Sequence, residues 1–394
     1  MYENIEMKRI VKNYYFKNNS RFVELFDTPF YPDGLGGQLG DRGTVAGHNV
    51  LEITKDSNGN IIHKIDSGEF VSGEEVSITI DSKRRFDISQ QHTAQHIISA
   101  NAYNFYGYNT VGFQMSEEYS TVDFDTDEFD WEKSSEIELA ILEQAYSKVK
   151  IEILSVPYSE LYKYPLRKKI SDKLKSKEEL RLVKIGELDY SLCGGFHVDR
   201  LFKILPVKIV KYEKIKSSWT RIYFVAGMRA MRDYQKKDNL LHETTNFLST
   251  SQDELNLRLK KLMDDNKLNL KLNKKLSESL ANEMYNKIKI RNENERFKKI
   301  IEILPTENSA KNLSGKIMKE KNTIAVMLFE RSDAYGLNIV STYDQIKAKE
   351  VLSKLSEELS IRGGGNEKTA LGTVHGNLSD IKEKIEKIIE NLEK

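Results

Sequence analysis

The sequence predicts an α+β fold divided into four regions, and three observations carry that expectation. Short β-branched and aromatic runs broken by glycine and Asn/Asp turns fill the opening stretch. Strand-like runs then alternate with helical periodicity through the middle. Finally, no glycine or proline occurs between Gly227 and Pro305, after which a second mixed region follows. At 394 residues the chain is long enough to bury more than one ordinary hydrophobic core.

Residues 1–86 read as a small antiparallel β domain with turns at SNGN and DRG. Within it, FYPDGLGGQLGDRG (Phe30 to Gly43) packs Gly34, Gly36, Gly37, Gly40 and Gly43, more than one turn requires. Glycine lets backbone approach a ligand closely, and it also serves hairpins of small β domains; both readings stay open. Residues 87–234 form the second region. Its first helix is expected from Asp87 to Tyr106, carrying His92, His96, Ile97, Ile98 and Ala100 at helical intervals. Strand-like TVDFD follows, then a helix from Trp131 to Lys150 marked by Ile137, Ile141 and Ala145. Strands are expected at IEILSV, RLVKIG, FKILPVKIV and TRIYFVAG.

Residues 235–304 are expected to be a long helical arm. Leu241, Leu248, Leu255, Leu262 and Leu276 fall at heptad spacing, with Asn269 in the gap. Such a stripe must be buried against another helix, as a hairpin, a coiled coil or a dimer contact. Asn266 and Asn273 on the same side favour a local or antiparallel pairing. Residues 305–394 read as a small α/β domain: strands NTIAVMLFE and GLNIVST, a helix around Asp344 to Ser360, a glycine loop RGGGNEKTALGTVHG and a final Ile- and Lys-rich helix.

Lys+Arg 61 against Asp+Glu 60 nearly cancel, so net charge neither demands nor excludes a polyanionic partner. Basic residues do cluster, at Arg167, Lys168 and Lys169, from Lys203 to Lys216, and after Tyr234, which fits either RNA binding or a solvated face. A single Cys excludes an intramolecular disulfide and fits a reducing compartment, so a cytoplasmic location is expected. No run is long and apolar enough to cross a bilayer, and MYENIEMKRI lacks the apolar core of a signal peptide. No membrane association is expected.

Chemistry is concentrated in two spaced pairs. His92 and His96, in HTAQH, lie one helical turn apart on one face. Cys193, the only Cys, stands four residues before His197 in CGGFH, across a Gly-Gly bend able to turn both side chains toward one point. Three imidazoles and a thiolate make the mixed N/S set that zinc prefers. HTAQH has no Glu beside its first His, which removes the general base of the HExxH hydrolases. Zinc deaminases need His-x-Glu and Cys-x-x-Cys, and neither is present.

Taken in order, FYPDGLGGQLGDRG, QQHTAQH, CGGFHVDR and RIYFVAGMRA resemble the editing domain of alanyl-tRNA synthetases and its free-standing relatives, the AlaX proteins. The likeness covers nearly the whole chain. The helical arm and the glycine-rich C-terminal domain resemble those of the large AlaX class, with the C-terminal domain also shared with DHH phosphoesterases. The two metal pairs alone would also fit the editing domain of threonyl-tRNA synthetases.

The resemblance implies a zinc-dependent aminoacyl-tRNA hydrolase acting on tRNA(Ala) charged with serine or glycine, chiefly serine. A site that selects alanine rejects neighbours differing by one hydroxyl or one methyl only weakly, so a second sieve is needed. Carried residue by residue, the resemblance makes His92, His96, Cys193 and His197 the zinc ligands and catalytic centre. It places Gly36, Gly37 and Gln38 in the amino-acid-selecting loop, Thr93 and Gln95 beside the metal, and Gln114 in the substrate pocket. Arg362, Gly363, Gly364, Gly365 and Lys368 are expected to meet tRNA, and the arm with the C-terminal domain to support a homodimer. Three departures bear on pocket shape: Leu35 interrupts the usual glycine run, Phe196 stands where Thr is common, and Gln114 where relatives often carry His. The editing-type β region opens the sequence, so no aminoacylation domain is expected ahead of it. Four protein ligands would saturate zinc; three firm ligands plus water, with His197 held loosely, is the expected arrangement. The alternatives are a non-catalytic RNA-binding protein stapled by zinc, and editing of another aminoacyl-tRNA such as seryl-tRNA(Thr).

Overall fold

The computed structural model describes residues 3–168, 174–175, 178–216, 218–291 and 297–393. Lys169 of the first basic cluster therefore lies outside the described residues. The chain divides into two compact units, Met1–Glu243 and Thr244–Lys394.

The first unit begins with a closed barrel. Its strands are β1 (Ile5–Lys17), β2 (Ser20–Leu25), β3 (Gly43–Val45), β4 (His48–Lys55), β5 (Ile61–Ile65) and β6 (Glu75–Ile80), ordered β1-β2-β5-β4-β3-β6. Alternation fixes the register: in β6, Val76, Ile78 and Ile80 point inward to join Val11, Val23 and Ile53. Closure removes the exposed edges that a small sheet would present.

Helix α1 (Ser82–Tyr106) leaves the barrel, five residues earlier than periodicity suggests. Asp81 caps it by accepting a hydrogen bond from Arg84 N, and Gly107 ends it with φ 74°. Every residue from Ile88 to Ala102 is buried. Polar residues on such a helix need partners, and they have them. Gln90 Nε2 donates to Lys203 O at 2.6 Å; Gln91 donates to Ala226 O and accepts from Ala226 N; Asn101 and Gln144 exchange amide hydrogen bonds.

Around α1 stand β7 (Thr110–Met115), β8 (Ser120–Phe124), α2 (Trp131–Tyr146), β9 (Ile151–Val156), β10 (Leu180–Ile185), β11 (Asp189–Leu192), β12 (Val207–Lys216) and β13 (Trp219–Ala226). They make two antiparallel sheets, β11-β10-β9 and β12-β13-β8-β7. FKILPVKIV is not one strand: Leu201–Ile204 form a 3-10 turn, and Pro206 follows a cis bond before β12 starts. Proline cannot donate to a ladder, which places it ahead of the strand.

Helix α3 (Met228–Leu248) spans the division between units, and α4 (Leu255–Arg291) belongs to the second. The arm is thus interrupted although it holds neither glycine nor proline. Ser249 takes φ 49°, and Ser251 Oγ accepts from Glu254 N, the local side-chain bonding by which Ser competes with helix backbone. The leucine heptad therefore crosses a break. Lys298–Leu304, assigned above to the arm, instead form strand β14, because Ile300 and Leu304 are needed in the next core.

The second unit adds α5 (Glu307–Ile317), β15 (Thr323–Glu330), β16 (Tyr335–Ser341), α6 (Ala348–Glu358), β17 (Ile361–Gly365), β18 (Thr369–Val374) and α7 (Leu378–Glu393). Its sheet runs β14-β15-β16-β18-β17, with β14 and β15 parallel across α5. α6 and α7 cover one face, α4 and α5 the other. The glycine segment after Arg362 is not a loop but the β17–β18 hairpin, in which Gly363 and Gly365 lie so close to β18 that a Cβ would clash with its backbone.

His63 generates a test of the barrel. Buried in β5, it donates through Nδ1 to Val23 O at 3.0 Å, and Nε2 meets Thr28 Oγ1 at 2.9 Å. Burial depresses its pKa to about 4. Between pH ~6.5 and 4 the unfolded chain therefore binds the extra proton, so stability is complete above pH ~6.5 and falls as pH drops. The expected loss at pH 4 is about 3 kcal/mol. Urea unfolding across this range, compared with His63→Gln, should show that much of the acid slope removed.

Candidate metal centre

The metal-ligating atoms of His92, His96, Cys193 and His197 all lie within 4.8 Å of one another. Two come from α1, where a spacing of four residues puts both imidazoles on one face. The other two come from the turn after β11. Cys193 Sγ lies 3.3 Å from His92 Nε2 and 3.4 Å from His197 Nε2.

Each imidazole is turned by a partner at its far nitrogen. His92 Nδ1–H donates to Gln38 Oε1 at 2.7 Å, and Phe196 N–H donates to the same oxygen at 2.9 Å. A backbone N–H can only donate, so the Gln38 atom there is its oxygen and the His92 proton sits on Nδ1. His96 Nδ1–H donates to Asp189 Oδ2 at 2.9 Å, and Asp189 Oδ1 accepts from Arg167 Nε at 2.9 Å. His197 Nδ1 meets Thr93 Oγ1 at 3.2 Å, an oxygen that also accepts from Val198 N. The Nε2 atoms of all three imidazoles thereby face the cluster. Such outer partners fix tautomer and ring orientation at metal-binding histidines.

Electrostatics follow from this packing. Burial opposes the Cys193 thiolate, but the imidazoles of His197, His92 and His96 outweigh it and bring the thiol to about 2. Burial likewise opposes a charged His96, while Asp189 and Cys193 raise it to about 9. Asp189, buried beside His96 and Arg167, falls to about 2. Burial lowers His197 to about 3 and also lowers His92. A thiolate beside the imidazoles of His92 and His197, which burial holds neutral, offers donors to a soft divalent cation, and His96 joins them by giving up its proton as the cation binds.

Two glycines make the convergence possible. A Cβ on Gly195 would fall 2.1 Å from His92 Cε1 and 2.6 Å from Gln38 Oε1. A Cβ on Gly37, whose φ is +76°, would fall 2.5 Å from the Phe113 carbonyl oxygen. The glycine loop is pinned elsewhere by carboxylates. Fully buried Asp41 accepts from Arg85 Nε and Nη2 and from Tyr31 N, while Asp33 accepts from Gly40 N and Ile53 N.

Beside the cluster lies a cavity of about 270 Å³, lined among others by Gly36, Gln95, Phe113, Arg167 and Lys168. Phe113 stacks on His92, ring centroids 5.3 Å apart. Of the sequence-derived candidates, His92, His96, Cys193, Gly36 and Gln95 line this cavity. Thr93 does not: it is fully buried, with its hydroxyl taken by His197 and Val198. Gln114 does not either, since pleating turns it to the exposed face of β7 while Phe113 points in. Gln38 stands behind His92; its Nε2 is buried without an acceptor among the described residues. Arg362, Gly363, Gly364, Gly365 and Lys368 lie in the second unit, exposed on β17 and the turn before β18. Sequence reasoning missed Asp189, Phe113 and the role of Arg167; the one available signal for Asp189 was an acidic residue in the strand leading to Cys193.

Residues 180–223, which hold Cys193 and His197, match the family described as the threonyl and alanyl tRNA synthetase second additional domain. The alanyl-tRNA editing protein AlaX-L of Pyrococcus horikoshii is 30% identical over 385 residues, covering 91% of this chain and 89% of that protein. The chain belongs to the AlaX family of alanyl-tRNA editing proteins. A second family member, the alanyl-tRNA editing protein Aarsd1 of Danio rerio, is 32% identical over 234 residues, 59% of this chain and 55% of that protein. The alanine-tRNA ligase of Lactococcus lactis is 26% identical over 365 residues, 88% of this chain and 41% of that protein. Among the described residues no helix is long and apolar enough to cross a membrane.

Asp189→Asn should keep the fold but weaken the hold on His96, lowering zinc affinity roughly 10–100-fold. Competition with a chromophoric chelator measures it. Gly195→Ala should reduce zinc content per chain as far as Cys193→Ala does, because its methyl group displaces His92.

Proposed function

We propose that this protein is a trans-editing hydrolase that deacylates mischarged tRNA(Ala), chiefly Ser-tRNA(Ala), with Gly-tRNA(Ala) as a second substrate. The observation that carries the reading is the convergence of three imidazole Nε2 atoms and one thiolate at the wall of a cavity, in a chain of the alanyl-tRNA editing family.

The donor set fits zinc: three nitrogens and a sulfur, each imidazole oriented by a hydrogen-bond partner. Bound there by His92, His96, Cys193 and His197, zinc would supply Lewis-acid polarisation of an ester oxygen or of water. The protein's own residues do the rest. Phe113 and Leu192 wall the cavity with apolar surface, while Lys168 brings positive charge to it, suited to the phosphates of a tRNA 3′ end. Gln38 acts from behind the site, holding His92 and the Phe196 backbone through its Oε1. His197 is the ligand most readily loosened. Its orienting partner is a neutral hydroxyl at 3.2 Å, where His96 has a carboxylate at 2.9 Å.

In the second unit, Arg362, Gly363, Gly364, Gly365 and Lys368 are exposed on and beside an edge strand, which supports contact with the tRNA body. Exposed Leu257, Leu268, Leu270 and Leu276 on α4 support self-association through the arm. The reaction belongs in the cytoplasm, where charged tRNA is made and used.

The zinc-loaded protein should hydrolyse Ser-tRNA(Ala) at least tenfold faster than Ala-tRNA(Ala), and Cys193→Ala should abolish that hydrolysis. Equal turnover of the two, or of neither, defeats the proposal. Zinc-dependent tRNA retention without hydrolysis would instead support a purely structural staple.

A further inference from the structure

Gln95 stands on α1 between His92 and His96 and faces the cavity with 7% of its surface exposed. Its amide is held from behind. Nε2 donates to Ser99 Oγ at 2.9 Å, Thr110 Oγ1 donates to the same oxygen at 2.8 Å, and Arg167 Nη1 lies 3.4 Å from Thr110 Oγ1. In the structure Nε2 is turned back onto Ser99, which leaves the carbonyl Oε1 as the end of the amide toward the cavity.

We propose that Gln95 Oε1 is the acceptor that reads the side-chain hydroxyl of the esterified amino acid, which makes Gln95 a specificity-determining residue for serine against alanine. This rests on the editing function argued above. An aminoacyl ester carries two donors near its reacting carbon, the α-ammonium and, in serine, the hydroxyl. The hydroxyl is the one suited to Gln95. It is neutral, and a single hydrogen bond offsets its burial, whereas a desolvated ammonium costs far more. Lys168 already brings positive charge to this cavity, which further favours keeping the ammonium toward solvent. An alanyl group fills the same space but leaves Oε1 without a donor. A buried acceptor stranded in this way disfavours the wrong ligand more than a missing methylene would. Ser99 and Thr110 act through Gln95 and are positioning residues.

The test uses the full-length zinc-loaded protein and two amide analogues that resist hydrolysis, 3′-seryl-amino-3′-deoxyadenosine and its alanyl counterpart, with Kd read by calorimetry. The unsubstituted protein should prefer the seryl analogue about tenfold, the ratio one neutral hydrogen bond sustains. Gln95→Met should bring the ratio close to one. Ser99→Ala, which frees the amide to turn, should move the ratio in the same direction although it touches no ligand; it carries the test if Gln95→Met fails to retain zinc. A ratio already near one in the unsubstituted protein, a ratio unchanged by Gln95→Met, or equal weakening of both analogues would overturn the assignment. The last result would mean that Oε1 reads the shared ammonium. If the unsubstituted protein binds neither analogue and leaves Ser-tRNA(Ala) intact, the editing function itself fails, and this assignment with it.

Discussion

A buried imidazole must hydrogen-bond at both nitrogens or lose the solvation that water gave it, and the centre of this protein depends on how that demand is met. At His92, His96 and His197 the outer nitrogen finds a partner in Gln38, Asp189 and Thr93. The inner nitrogen of each then faces the space around Cys193 Sγ. The three partners come from three separate places: the glycine loop of the barrel, strand β11, and α1 itself. Convergence is therefore a property of the whole first unit rather than of two short motifs.

This explains why some features were legible in the sequence and others were not. HTAQH and CGGFH could be read because metal-ligand candidates differ sharply from their neighbours in residue type and repeat at short spacing. Asp189 could not, because an aspartate in a strand looks like a surface residue until the strand is seen to run beside α1. Thr93 has the same problem, and its neighbour Gln95 shows the converse: one step along a helix changes an internal brace into a cavity wall. The barrel strands and α1 followed from alternation and periodicity. The arm was overextended since only glycine and proline were counted as breaks, while Ser249 and Ser251 end α3 through local bonding and Lys298–Leu304 pair with β15 across a distance no local pattern reveals.

The glycine segments show how one residue type serves different ends. Gly37 and Gly195 bring backbone against Phe113 and against His92 with Gln38, where any side chain would collide with the centre. Gly363 and Gly365 do similar work in the second unit, letting β17 lie flat against β18. Composition alone made both look like ligand-binding loops; the neighbours of each Cβ position distinguish them.

Helix α1 is enclosed on every side from Ile88 to Ala102, with its glutamines bonded to backbone of remote segments. No face of it can fray into solvent independently. Amide protons along this helix can exchange only when the surrounding sheets part, so their exchange reports cooperative unfolding of the first unit.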